Sequence, residues 1–137
     1  MAEKFSVIIP VKEINDYIIN FVPKILKQSY QNFEIIILPD KKKGECKQLK
    51  NNKIRVIETG IMGPAKKRDI GARKSRGEIL AFIDDDAYPD EKWLENALID
   101  FEEGVVGVGG PTLTPKESNF FQKLSGEVLA SYLVSGP

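Results

Sequence analysis

Apolar residues along this chain fall into short blocks that alternate between two periods. Phe5-Ser6-Val7-Ile8-Ile9 is a β-rich run, and Pro10, which has no amide to donate, is expected to stop it. Ile18, Phe21, Val22, Ile25 and Leu26 then recur at the spacing of one helical face, with Asn15 or Asp16 placed to cap the helix and Pro23 placed to kink it. Phe33-Glu34-Ile35-Ile36-Ile37-Leu38 is nearly continuous apolar sequence, which predicts a parallel strand covered on both faces and ended by Pro39. The lysine-rich stretch 41–53 lacks periodicity and reads as a solvated loop or short surface helix.

The alternation continues. Ile54-Arg55-Val56-Ile57 predicts a third strand. After a turn at 60–63, Pro64 suits the first position of a helix running to about Arg76, where a missing amide costs nothing, and Gly77 is placed to end it. Ile79-Leu80-Ala81-Phe82-Ile83 predicts a fourth, buried strand leading straight into Asp84-Asp85-Asp86. Asp90 is placed to cap a helix whose inner face is Trp93, Leu94, Ala97, Leu98 and Phe101, and residues 105–108 predict a fifth strand. The fold class that follows is α/β, a mostly parallel sheet with helices on both faces. Beyond Gly109-Gly110-Pro111 the pattern changes to an apolar helix bearing Phe120, Phe121, Leu124, Val128, Tyr132 and Leu133. We therefore expect a ligand-binding α/β domain over 1–111 and the start of a second portion over 112–137, with an uncovered apolar helix through which this chain could self-associate.

Composition narrows the chemistry. Twenty basic and twenty acidic residues cancel, so no broad positive field points to nucleic acid or anionic lipid. One cysteine, Cys46, cannot form an internal disulfide, and the start of the chain does not read as a secretory signal, so a cytoplasmic setting is expected, with membrane association of a longer protein left open. The absence of histidine excludes Ser-His-Asp and Cys-His chemistry and imidazole metal sites. Carboxylates must do any chemistry there is.

In an open α/β sheet, ligands sit beyond the carboxyl ends of the strands, which singles out residues 11–13, Asp40 and 84–86. Three consecutive aspartates at a strand end repel one another unless they are hydrated or hold a cation, and an all-oxygen set suits Mg²⁺ or Mn²⁺. In an extended segment Asp84 and Asp86 share a side and Asp85 points away, so the first and third are the candidate metal pair. The triplet reads equally well as a helix cap or a hydrated turn. Arg68 falls in a stripe with the small residues Ala65, Ala72 and Ser75, which predicts an inward arginine in need of an anion: an aspartate or a ligand phosphate.

Residues 5–13, then Gln28-Ser29-Tyr30-Gln31-Asn32-Phe33-Glu34, then Gly63-Pro64-Ala65-Lys66-Lys67-Arg68-Asp69-Ile70-Gly71-Ala72, then Gly77-Glu78-Ile79-Leu80-Ala81-Phe82-Ile83-Asp84-Asp85-Asp86, with Pro89 and Trp93-Leu94, run in an order that resembles the family-two glycosyltransferases of GT-A fold. The resemblance covers roughly residues 5 to 111. It implies a Rossmann-like nucleotide-sugar-binding fold, here truncated before the acceptor side. It also implies transfer of a sugar from a nucleoside diphosphate to an acceptor hydroxyl, with a divalent metal and inversion at the anomeric carbon. By the same likeness Pro10, Val11, Lys12 and Glu13 would line ribose and base, Asp40 would accept a hydrogen bond from the base, Arg68 would lie near base or phosphate, Asp84 and Asp85 would belong to the nucleotide site, and Asp84 and Asp86 would flank the metal. The catalytic base would lie beyond Pro137. The sequence departs from the family's pattern at Val11-Lys12, at Leu38-Pro39-Asp40 and at Asp69, which bears on the base recognised.

Two other enzyme or signalling classes fit less well. A sugar-phosphate nucleotidyltransferase would resemble a Gly-rich loop after the first strand, where Val11-Lys12-Glu13-Ile14 has no glycine. A receiver module would carry a lysine after a late strand, where Val108-Gly109-Gly110 has none. A non-catalytic nucleotide-binding fragment remains a third reading.

Overall fold

The computed structural model describes residues 3–42, 46–110, 114 and 117–130. Four strands, β1 (Phe5–Pro10), β2 (Phe33–Leu38), β3 (Ile54–Val56) and β4 (Ile79–Phe82), form one all-parallel sheet in the order β3-β2-β1-β4. The helices are α1 (Asp16–Ile25), α2 (Pro64–Lys74), α3 (Trp93–Asp100) and α4 (Phe120–Ala130), with a short 3₁₀ turn at Lys47–Leu49. The chain divides into two compact units, Met1–Leu98 and Ile99–Pro137.

Parallel pairing buries both faces of β1 and β2, and their side chains divide accordingly, whereas β4, expected to be a buried strand, lies at the sheet edge with Leu80 and Phe82 exposed. Phe5, Val7 and Ile9 of β1 and Phe33, Ile35 and Ile37 of β2 pack with Ile18, Phe21, Val22 and Ile25 of α1 and with Leu94 of α3. Ile8, Ile36 and Leu38 form a smaller core on the opposite face with Ile70 and Ala72 of α2. The helices begin as their sequences predict. Asn15 caps α1 by accepting from the Ile18 amide at 3.0 Å, Pro64 stands in the first turn of α2, and Asp90 accepts from the Lys92 amide at 2.9 Å ahead of α3.

Some boundaries differ from expectation for local reasons. Strand β1 includes Pro10 rather than stopping before it. Val11 donates to Leu38 of β2 at 3.3 Å, so by alternation the Pro10 nitrogen faces β4, which has already ended at Phe82, and no ladder bond is forfeited. Helix α2 ends at Lys74, and Gly77 has another duty: a Cβ there would lie 2.5 Å from the Lys4 carbonyl oxygen and 2.7 Å from the Phe5 carbonyl carbon. It allows the loop into β4 to press on the backbone of β1. Phe101 lies one residue past the end of α3.

Residues 105–108 form no strand. Val105, Val106 and Val108 are exposed, because an apolar run becomes a strand only when a neighbour supplies a backbone partner, and among the described residues none does. On α4, Phe120, Phe121, Leu124 and Val128 are likewise exposed. Pro111, Tyr132 and Leu133 lie outside the described residues.

At the amino ends of the strands a charged network is centred on the buried Glu34, with its arginine partner Arg55 partly exposed. Glu34 of β2 accepts from Ser6 Oγ at 2.9 Å, the Arg76 amide at 2.6 Å and Arg55 Nη1 at 3.1 Å. Arg55 also donates to the Lys74 carbonyl at 2.8 Å, and the Gly77 amide donates to Ser6 Oγ at 2.9 Å. Burial pushes the Glu34 carboxyl up, but the bonds from Ser6, Arg55 and Arg76 and the Arg55 charge outweigh it and hold the group below its ordinary range. This network pins the end of α2 to the sheet, which fixes where the beginning of α2 falls at the other end.

Candidate functional site at the carboxyl ends of the strands

From β1 the chain passes through α1 to β2 on one side, whereas from β3 it passes through α2 to β4 on the other. The carboxyl ends of β1 and β4 are thus the point where the winding reverses, the place at which open α/β sheets leave a crevice. Residues 11–13 leave β1 there, Asp40 follows β2, and the aspartate triplet follows β4.

The first two segments are tied together. The Asp40 amide donates to the Lys12 carbonyl at 3.1 Å, and the Asp40 carbonyl accepts from Gly60 at 3.0 Å. Val11 is buried beside Pro10, while Lys12 and Glu13 are exposed. Across them reaches a residue that the sequence reading passed over. Lys67, in the first turn of α2, is only 3% exposed, and its Nζ donates to the Val11 carbonyl and to Asp40 Oδ1, each at 2.5 Å.

The aspartate triplet is held from two sides. Arg68 Nη2 meets Asp84 Oδ1 at 2.5 Å, with side chains 34% and 58% exposed. Asn15, already the cap of α1, donates from Nδ2 to Asp85 Oδ2 at 3.2 Å and so links the loop after β1 to the loop after β4. The chain turns at Asp85 and Asp86, with the Ala87 amide donating to the Asp84 carbonyl at 3.2 Å. The extended alternation that would set Asp84 and Asp86 on one side therefore does not apply as read. Asp86 is exposed and makes no hydrogen bond or ion pair among the described residues.

Helix α2 is rotated from the face its sequence predicted. Its buried residues are Lys67 and Gly71, with Ala65 exposed, so the inner stripe lies one residue away from the small-residue stripe that placed Arg68 inward. Gly71 explains the choice: a Cβ there would fall 2.5 Å from Ile8 Cγ2, so this is where the helix lies hardest on the sheet. Arg68 is left half-buried at the margin, with Asp84 as its anion. A lysine on the buried face gives no periodicity signal; only its spacing of four residues from a glycine pointed to it.

What the residues can do follows from their atoms. At the β4 end, Asp84 and Asp86 offer only hard oxygen donors, which fits a small divalent cation that takes its remaining ligands from phosphate and water. Among the described residues no three carboxylate, thiol or imidazole groups cluster into a self-sufficient metal cage. Arg68 offers a guanidinium fork suited to phosphate beside them. At the β1 and β2 ends the Val11 carbonyl and the Asp40 carboxylate offer acceptors. No helix among the described residues is long and apolar enough to cross a membrane.

Residues 6–133 match the sequence profile of glycosyl transferase family 2. An uncharacterized glycosyltransferase of Rickettsia bellii is 34% identical over 105 residues, covering 73% of this chain and 15% of its own length. The structure of residues 1–349 of TarS from S. aureus, in complex with UDP-GlcNAc, superposes with a TM-score of 0.59 at 29% identity, covering 83% of this chain and 38% of that one. The mannosyltransferase PcManGT of Pyrobaculum calidifontis, in complex with GDP-Man and Mn²⁺, superposes with a TM-score of 0.62 at 21% identity, covering 72% and 32%, and so shares the fold. The chain thus spans well under half the length of each. The parallel sheet with helices on both faces is the GT-A fold.

Proposed function

The chain belongs to glycosyl transferase family 2, and from that premise we propose that it is the donor-binding portion of an enzyme that transfers a sugar from a nucleoside diphosphate to an acceptor hydroxyl, with a divalent metal and with inversion. The observation that carries this reading is the assembly of Val11, Asp40, Arg68 and Asp84 at the carboxyl ends of β1, β2 and β4, around one reversal of winding.

In this reading Pro10, Val11, Lys12, Glu13 and Asp40 bind the nucleoside, and the Asp40 carboxylate orients the base. Asp84 and Asp86 hold Mn²⁺ or Mg²⁺, Asp85 keeps the turn in place through Asn15, and Arg68 lies beside the diphosphate. A bound divalent cation would offset the negative charge that builds on the leaving diphosphate. Arg68 adds a second positive charge at the same place, and it must exchange Asp84 for phosphate as the donor arrives. TarS bound to UDP-GlcNAc and PcManGT bound to GDP-Man and Mn²⁺ support both the class of donor and the class of metal.

The acceptor-side portion, taken to begin near residue 112, would supply the catalytic base. The exposed Phe120, Phe121, Leu124 and Val128 suit a helix that is covered by such a portion or by a second copy of the chain, and a sedimentation series over concentration separates these. This chain alone should bind donor without transferring sugar, because an absent base forgoes a factor of about 10²–10⁴ in rate.

Calorimetric titration of the chain with UDP and with GDP, in Mn²⁺ and in chelator, tests the proposal. Binding that requires the metal, and that loses this requirement in Asp86→Asn, is the expected result. Equal affinity in metal and in chelator would overturn the role of the aspartates, and turnover by this chain with any acceptor at ordinary enzyme rates would overturn its assignment to donor binding alone.

A further inference from the structure

We propose that Lys67 is a positioning residue for recognition of the donor base, acting through Asp40 and the Val11 carbonyl; this rests on the reading that the ends of β1 and β2 bind the nucleoside. A lysine at 3% exposure is uncommon, and it is tolerated only where its ammonium is well partnered. Here both partners are acceptors from the segments just beyond β1 and β2, Val11 O and Asp40 Oδ1, and the lysine comes from a third element, α2. The contact therefore joins the three pieces of chain that define this corner.

Its geometry divides the Asp40 carboxylate. The main chain of Asp40 is pinned at both its amide and its carbonyl, by Lys12 and Gly60. Lys67 then takes Oδ1, and among the described residues Oδ2 has no partner. A carboxylate fixed in this way presents one acceptor in one direction, at low entropic cost to whatever binds it. The base edge that matches a lone acceptor is one with a ring N–H, as in uracil or guanine. Cytosine sets a bare ring nitrogen at the equivalent position, and two acceptors facing each other repel. If Lys67 is removed, Asp40 can turn, both of its oxygens become available, and the direction that discriminates between these edges disappears.

The test is the affinity of the full chain for UDP, GDP and CDP in Mn²⁺, for the wild type, Lys67→Met, Asp40→Asn and the double variant. The wild type should prefer UDP or GDP over CDP by roughly tenfold or more, the discrimination of one charged hydrogen bond. Each single variant should flatten that preference, and the double variant should flatten it no further. A folded Lys67→Met that keeps the wild-type preference overturns the proposal, as does an Asp40→Asn that keeps it. Metal-dependent diphosphate binding with no base preference in the wild type also sinks it while leaving the proposed function standing; no nucleotide binding at all sinks the proposed function itself. Should Lys67→Met fail to fold, the lysine ¹⁵Nζ spectrum of the wild type decides: the Lys67 resonance should move on saturation with the preferred nucleotide, and one that stays in place overturns the proposal.

Discussion

The two ends of the sheet both bring acidic and basic side chains together, yet they leave them in different conditions. At the amino ends Glu34 is 4% exposed and accepts from Ser6, Arg55 and the Arg76 amide, so its bonds are made within the protein and to its own backbone. At the carboxyl ends Arg68 and Asp84 meet across a half-open margin, 34% and 58% exposed, and Asp86 stands exposed beside them. Enclosed charges contribute to stability only while every partner remains, because removing one leaves the others buried and unpaired. Half-exposed charges contribute little to the fold and can be redirected to a ligand. Lys67 lies between the two conditions: it is as buried as Glu34, but its partners belong to the carboxyl ends of the strands.

The largest effect should come from opening the enclosed end. Glu34→Ala strands Ser6, the Arg76 amide and one bond of Arg55, and it should lower unfolding stability by about 3–5 kcal/mol, enough to move the melting temperature by more than about 10 °C. Urea and thermal unfolding measure this, and a loss under about 1 kcal/mol would mean that the network is not a structural clamp. Its pH dependence follows from the sign of the shift. The folded Glu34 carboxyl sits below its ordinary value of 4.5, so its contribution is fully present above that pH and fades as the pH falls through the folded value. The stability gap between the wild type and Glu34→Gln should therefore be constant near neutrality and narrow in acid. A gap that widened in acid would reverse the assignment.

Next in size is Gly77→Ala. The clash is with the backbone of Lys4, Phe5 and Ser6 rather than with movable side-chain ends, so β1 or the loop into β4 must shift. A cost of about 1–3 kcal/mol is expected, in the range for overpacking a fitted contact. Donor affinity per folded molecule should change little, since the strain falls at the end remote from the crevice. If binding fell while stability held, the two ends would be coupled through β1 and the comparison would fail.

The sequence revealed most of what is periodic and little of what is reciprocal. The apolar runs of β1 and β2 and the stripe of α1 were legible because burial on two faces, or on one helical face, leaves a repeating mark, whereas the equally apolar run of β4 reads as buried although Leu80 and Phe82 are exposed at the sheet edge. Topology alone points to the carboxyl ends of the strands, where Asp40 follows β2 and Asp84 follows β4, whereas the small-residue stripe that set Arg68 inward lies one residue away from the face that α2 buries. Lys67 and Glu34 were not legible, because a lone carboxylate inside the apolar β2 looks like an interruption, and one lysine among the several cations of α2 looks like its neighbours, until the partner distant in sequence is known. Asn15 was read as a cap, which it is, but its second bond to Asp85 spans seventy residues and carries no local signature. Residues 105–108 mislead in the opposite direction: their composition suits a strand, but a strand also needs a neighbour.

The smallest stability effect, and the one that most sharpens the comparison, is expected for Arg68→Ala. The pair with Asp84 is short, at 2.5 Å, but the exposure of both side chains means that solvent screens the attraction and already hydrates each group. Losing it should cost under about 1 kcal/mol. Truncation should also leave α2 seated, because the contacts that seat it are made by its neighbours Lys67 and Gly71 on the buried face. Binding should respond differently. If Arg68 meets the diphosphate, its removal takes away a charge-assisted bond made to the ligand, and affinity for UDP or GDP in Mn²⁺ should fall roughly tenfold or more. Melting without ligand and calorimetry with it measure the two quantities on the same variant. A variant that loses stability and binding in equal proportion would show that Arg68 is part of the scaffold after all, and that the carboxyl end is held together as the amino end is.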